Sequence, residues 1–285
     1  MIARKPLNLL ASLLLAAFLF SPAGAADPVS GSWTIRSADK PERVQLSFVY
    51  GHSTNSSDNW RLADLKGLDL ATAARHDVRF ALDRDAGRIE AEGSATSGTA
   101  AGSFQFTPNP AYAGELRKLG LGELESRSQM SFALLDVSLA FAREMTELKL
   151  TGLTADKLLA MRIHGIDASY VKDLRGAGAA ATETDQLVAF RIHHVTPDWV
   201  AGFAKLGYGG KTLSADQMIA FRIHDVTPDY VAAVEKLGYD HPAPDELIAM
   251  KIHGITPDYI ASVKARGVRD ITLDKLVAMK IQGID

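Results

Sequence analysis

The sequence predicts an α+β protein in two segregated parts, a small antiparallel β-domain followed by an α-solenoid of short helical-hairpin repeats. Two observations carry this. From Pro108 onward a unit recurs whose aromatic falls at Tyr112, Phe141, Tyr170, Trp199, Tyr230 and Tyr259, so the steps are 29, 29, 29, 31 and 29 residues. A fixed period of this size signals stacked supersecondary units. From Asp27 to Thr107 the pattern is instead period two, apolar alternating with polar, as in half-buried strands. The expected boundaries are 1–25 for an export signal, 26–107 for the β-domain and 108–285 for about six helical repeats.

The N-terminal stretch reads as a secretory signal. Arg4 and Lys5 are its charged start, Leu9 to Phe20 its apolar run, and Ala23-Gly24-Ala25 its small-residue cleavage site. The run is too short to span a bilayer, and no later stretch is apolar enough to do so. In the β-domain, Trp33 and Ile35, then Val44, Leu46 and Phe48, then Val78, Phe80 and Leu82, Ile89 and Ala91, and Phe104 and Phe106 mark about five strands with one apolar face. Asp85-Ala86-Gly87 and Ser97-Gly98-Thr99 are hairpin turns. Gly51 to Asn59 (GHSTNSSDN) is polar and reads as a loop, and Leu62 to Leu68 as a helical turn. The apolar face needs a cover, either its own curl or the first helical unit. Phe106 to Pro110 joins the parts with no Gly/Ser linker, so rigid packing is expected.

Each repeat reads as two helices. In Thr227-Pro228-Asp229-Tyr230, threonine caps, proline takes the first helical position and aspartate suits the dipole. Tyr230, Val231, Val234 and Leu237 form one stripe, and Gly238 is a left-handed stop. The second helix opens at Ser214, with Gln217 completing a capping box. Met218, Ile219, Phe221 and Ile223 are all apolar, so this helix reads as mostly buried. Gly165, Gly254 and Gly283 end other second helices.

Composition is globular: 285 residues, 47% hydrophobic, 23% charged, formal net charge -3 and no cysteine. No domain-wide basic excess points to nucleic acid, and thiol chemistry is excluded. Catalytic motifs fail one by one. No His-Glu-x-x-His occurs. Gly210-Lys211-Thr212 has Lys205 where a phosphate loop needs glycine, and Asp83 to Gly87 lacks calcium-loop spacing. Neither an enzymatic activity, nor a cofactor, nor a metal is expected.

Three ladders remain. His164, His193, His224 and His253, with Gln282 in the fifth place, end the second helices. A shared metal is disfavoured, because packed helices lie about 8–10 Å apart while zinc wants nitrogens at about 2.0–2.1 Å. Terminal hydrogen bonding is the simpler role, and His194, found in one unit only, is read as incidental. A basic ladder lies two residues earlier at Arg162, Arg191, Arg222, Lys251 and Lys280. An acidic ladder opens the second helices at Asp156, Asp185, Asp216, Asp245 and Asp274. These charges are either a solvated face or a docking surface. The candidate partner surface is therefore Arg162, His164, Arg191, His193, Arg222, His224, Lys251 and His253, and the partner class protein or peptide. The alternative is a small-molecule or glycan binder using the β-domain loop, through His52, Asn55 and Asp58 with Trp60 as a stacking residue.

The strings VTPDYVAAVEKLGY and LSADQMIAFRIHDVTPDY resemble repeats of bacterial envelope proteins and of the extracytoplasmic extensions of BlaR-type metallopeptidase sensors. Gly31-Ser32-Trp33, Ser56-Ser57-Asp58 and Gly102 to Pro108 resemble the β-domain that accompanies them. The resemblance spans nearly all of the chain after the signal and implies an accessory or sensory role. The peptidase motif of those sensors is absent, so their activity does not carry over. Export to the periplasm or beyond has a direct check. N-terminal sequencing of the exported protein is expected to read from Ala26, and a membrane-held product retaining Met1 to Phe20 would contradict it.

Overall fold

The computed structural model describes residues 28–38, 42–51, 53–209, 212–268 and 270–284, without the side chains of 53–59. The signal segment, His52, Gly210 and Lys211 lie outside the described residues, as do the side chains of Asn55 and Asp58. The order is the expected one, a curled antiparallel sheet and then short helices.

The sheet has six strands: β1 (Val29–Ser37), β2 (Arg43–Tyr50), β3 (Ser53–Arg61), β4 (His76–Arg84), β5 (Gly87–Thr96) and β6 (Thr99–Pro108), in the order β3-β2-β1-β6-β5-β4. Period two sets its faces. Trp33, Ile35, Val44, Leu46, Phe48, Val78, Phe80, Leu82, Ile89, Phe104 and Phe106 are all buried. Both expected hairpins form, with two-residue turns at Asp85-Ala86 and Ser97-Gly98. The expected loop Gly51–Asn59 does not form: β3 occupies Ser53 to Arg61 and pairs with β2 from Tyr50↔Ser53 to Arg43↔Arg61. Its polar sequence carries no alternation to read. An edge strand is bonded by backbone on one side only, and polar residues suit such an edge. A bulge sets Val44 against Trp60 but Leu46 against Ser57. A 3-10 turn at Leu62–Asp64 follows, within the expected helical turn.

The curl is tightest at one cross-strand pair of glycines. Gly93 faces Gly102, and Gly102 faces Trp33. A Cβ on Gly102 would sit 1.9 Å from the Glu92 carbonyl oxygen, so only glycine allows this approach. The Trp33 indole N–H donates to the carbonyls of Glu92 (3.2 Å) and Ser103 (3.0 Å). The segment after the 3-10 turn then crosses to the far edge. Lys66 bridges Ala81, the Leu70 carbonyl accepts from the Gly98 N–H, and Leu65 and Leu70 are buried.

The join is one residue long and heavily bonded. Asn109 caps α1 through Ala111 N, gives its own N–H to Ala86 O (3.0 Å) and its amide to Asp85 O (2.9 Å). The Asp85 carboxylate accepts from Leu139 N (2.7 Å), and Arg84 pairs with Asp136 at 3.4 Å. Helix α2 packs on β5 and β6, so one continuous core runs through both parts.

Twelve α-helices are described, as six pairs. The first members are α1 (Pro110–Lys118), α3 (Leu139–Glu147), α5 (Ala168–Gly176), α7 (Pro197–Ala204), α9 (Pro228–Lys236) and α11 (Pro257–Ala265). The second members are α2 (Gln129–Leu134), α4 (Ala155–Ile163), α6 (Thr184–Ile192), α8 (Ala215–Ile223), α10 (Pro244–Ile252) and α12 (Leu273–Ile281). The caps are those expected. Thr196, Thr227 and Thr256 accept from the third residue of their helices with proline at the start, and Ser214 with Gln217 closes a capping box. Second helices pack on second helices from α4 to α12, and first helices on first helices, giving two layers.

Tyrosine closes four of the six hairpins. The hydroxyls of Tyr112, Tyr170, Tyr230 and Tyr259 donate to the carbonyls of Val137, Val195, Ile255 and Ile284, each 25 residues on, at 2.6–2.8 Å. Burial pushes the Tyr170 phenol up to about 12, against the nearby Arg191, and raises those of Tyr112 and Tyr230 as well. Phe141 and Trp199 interrupt the series, and the buried Trp199 indole N–H has no partner. The turn after each second helix is left-handed at Asp136, Gly165, His194, Asp225, Gly254 and Gly283, with φ from +52° to +72°. His194 thus stands where half the units use glycine, a conformation costing a side chain about 1–2 kcal/mol.

Candidate interaction surface

The second helices carry apolar residues on two faces. One points inward: Leu158 and Met161, Leu187 and Phe190, Met218 and Phe221, Leu247 and Met250, and Leu276 are buried. The other follows the spacing i, i+3, i+4, i+7 and reads Asp156-Leu159-Ala160-Ile163, Asp185-Val188-Ala189-Ile192, Asp216-Ile219-Ala220-Ile223, Asp245-Ile248-Ala249-Ile252 and Asp274-Val277-Ala278-Ile281. That spacing sets four side chains on one helix face. The aspartates are exposed, and the middle residues are half-buried except Ala278, which is exposed.

The last residue of each stripe is exposed: Ile163 60%, Ile192 52%, Ile223 56%, Ile252 55% and Ile281 63%. This corrects the expectation that these helices are mostly buried. Ile223 is on the surface, because a two-layer stack covers only one side of each helix. A single exposed isoleucine is ordinary. Five at one position of five consecutively packed helices make a continuous strip. Five helices of about 13 Å spaced by about 9 Å span roughly 600 Å².

The basic ladder faces the other way. Arg162 lies over the Phe141 ring at 4.9 Å, Arg191 over Tyr170 at 4.1 Å, Arg222 over Trp199 at 5.1 Å, Lys251 over Tyr230 at 4.9 Å and Lys280 over Tyr259 at 4.7 Å. The first four cations also reach back to the preceding turn. Arg162 donates to Asp136 O (2.8 Å), Arg191 to Gly165 O, Arg222 to the carbonyls of His193 and His194, and Lys251 pairs with Asp225 at 3.2 Å. These four side chains are half-buried. Their geometry joins one unit to the next.

The histidines sit at the ends of their helices, as the C-cap residue just after the last helical isoleucine. The backbone N–H groups of His164, His193, His224 and His253 donate to the carbonyls four residues back at 2.9–3.1 Å, and their rings are half-buried beside the isoleucines. Among the described residues no group of three or more His, Asp or Glu is placed to hold a metal. At the opposite end of the stripes the aspartates form a row. Lys157 reaches Asp185, and Gln217 donates to Asp245 at 2.9 Å.

In the β-domain, an open groove of about 990 Å³ lies on the polar side of the sheet. Lys66, Arg79, Arg88, Glu90, Glu92 and Gln105 line part of it. Opposite charges there pair, Arg88 with Glu90 at 3.1 Å and Arg79 with Glu92 at 3.9 Å. Trp60, the one residue of the proposed loop site whose side chain is described, is half-buried and packs on the core.

No known protein family matches the chain, and no curated protein matches it either.

Two isoleucines test the placement of the strip. Ile223→Ala is expected to change the unfolding free energy by under about 1 kcal/mol, since surface changes usually do. Ile255→Ala, at a site 1% exposed, is expected to cost about 2–5 kcal/mol. Equal costs in chemical denaturation would show that Ile223 is not on the surface.

Proposed function

We propose that this is an exported, non-enzymatic binding protein that holds another protein, or a peptide, against the outer face of its second-helix layer. The carrying observation is the strip of Ile163, Ile192, Ile223, Ile252 and Ile281 with the aliphatic and alanine rows beside it. Apolar surface repeated along a solenoid is an extended recognition surface. The half-buried histidines border it. The basic ladder supports the scaffold from beneath rather than meeting the partner first, because its charges rest on rings and turn carbonyls. Among the described residues the first helices carry no exposed large hydrophobic side chain, and the outer positions of α5 include the exposed Lys172 and Asp173. Export rests on the N-terminal signal, and an accessory or sensory role on the resemblance to sensor extensions.

A photo-crosslinking residue placed at Ile223 tests the reading in cells. A discrete crosslinked partner is expected from position 223 and not from Lys172 on the opposite layer. Capture from Lys172, or from Glu90 in the sheet groove, with none from position 223, would move the binding surface elsewhere and favour the small-molecule or glycan reading of the β-domain.

A further inference from the structure

We infer that the occupant of this strip is an extended segment of another chain, apolar at every third residue and rich in lysine or arginine between. The inference rests on the binding face proposed above and adds the chemistry of what it binds.

The first argument is spacing. Consecutive second helices are packed neighbours, which places their axes about 8–10 Å apart. A polyproline-II chain advances about 3.1 Å per residue with three residues per turn, so every third side chain points the same way after about 9.3 Å. Such a segment, laid across the helices, sets one side chain over each rung. A β-strand repeats its facing side every two residues, about 6.6–6.8 Å, and falls out of step.

Relief is the second argument. Within each stripe the isoleucine stands between the larger Leu159, Val188, Ile219, Ile248 or Val277 on one flank and alanine on the other, as the 100° turn per residue dictates. Ala160, Ala189, Ala220, Ala249 and Ala278 therefore lower the surface between successive isoleucines. A dip once per rung accepts one apolar side chain per rung and lets a backbone come close.

Charge is the third. Asp156, Asp185, Asp216, Asp245 and Asp274 are all exposed and border the strip on one side. The cations in the last turns of the same helices are turned away onto Phe141, Tyr170, Trp199, Tyr230 and Tyr259. The rim is thus acidic on balance: five aspartates stand with two lysines, Lys157, which reaches Asp185, and Lys275, exposed beside Asp274. Basic residues between the apolar ones of the segment meet this row.

The test uses the full exported chain and three labelled synthetic peptides followed by fluorescence anisotropy. The first has leucine at every third position with lysine and proline between. The second has the same composition with the leucines shuffled. The third has glutamate in place of lysine. The first is expected to bind at least about tenfold more tightly than either of the others, with affinity falling as salt rises. Asp185→Asn, Asp216→Asn and Asp245→Asn together are expected to remove that preference for lysine. Ile192→Ser, Ile223→Ser and Ile252→Ser together are expected to abolish binding, with circular dichroism unchanged in both variants. Equal binding of the lysine and glutamate peptides overturns the inference. So does self-association in sedimentation that the isoleucine variant loses, which would make the occupant a second copy. Co-sedimentation with phosphatidylglycerol vesicles, lost in the same variant, would make it a lipid surface and overturns it too. If the peptides fail while crosslinking from position 223 persists, the segment chemistry is wrong and the binding face stands.

Discussion

The solenoid depends on one repeated contact, a cation near the end of each second helix lying on the aromatic ring of the preceding first helix. Arg191 shows it most closely: its guanidinium is 4.1 Å from the Tyr170 ring centre and its end donates to the Gly165 carbonyl. One side chain therefore touches the first helix of its own unit and the turn that ends the unit before it. Short helices are marginal alone, so the stack needs ties between units as well as a core within them. The ring supplies attraction of about 0.5–2 kcal/mol, depending on how far the cation is desolvated, and the carbonyl accepts from the outer end of the guanidinium, while the buried Arg191 Nε has no hydrogen-bond partner among the described residues.

That contact also shapes the surface. It draws five cations off the second-helix layer and toward the first. The side of the layer that faces outward is then left with aspartates at one end, aliphatic and alanine rows between, and isoleucine and histidine at the other. The tyrosine hydroxyls act in the same direction. By bonding the carbonyl that follows the next turn, Tyr170, Tyr230 and Tyr259 fix where α6, α10 and α12 end and hence where Ile192, Ile252 and Ile281 emerge. Scaffold and surface are set by the same few positions of the repeat.

Much of this was legible from residues alone. Thr227-Pro228 and Ser214 with Gln217 act locally, through bonds to their own helix, so their caps could be read directly. The alternation in β1, β2 and β4 to β6 marks a buried face for the same reason. Strand β3 was not legible. STNSSDNWR carries no apolar alternation in its sequence, and its pairing is supplied by the backbone of β2, a neighbour rather than a property of the segment. The exposure of Ile223 was hidden differently. An apolar residue reads as buried unless the whole stack is known, yet the sign was present: Asp216, Ile219, Ala220 and Ile223 form a second stripe, more than one core-facing side can absorb. The arginines were ambiguous because a charge says nothing about a ring on the helix before it. His194 looked incidental until its backbone showed φ +56°, the value its turn requires.

The central claim is that the basic ladder binds the repeats to one another and leaves the isoleucine strip open. The most direct measurement is the unfolding free energy, by chemical denaturation, of a variant carrying Arg191→Gln, Arg222→Gln and Lys251→Gln together. Each rung loses its ring contact and its tie to the preceding turn, so the account predicts a loss of about 3 kcal/mol or more. A variant within about 0.5 kcal/mol of the parent, the range of ordinary surface changes, would show that these charges lie on a solvated face and would contradict it.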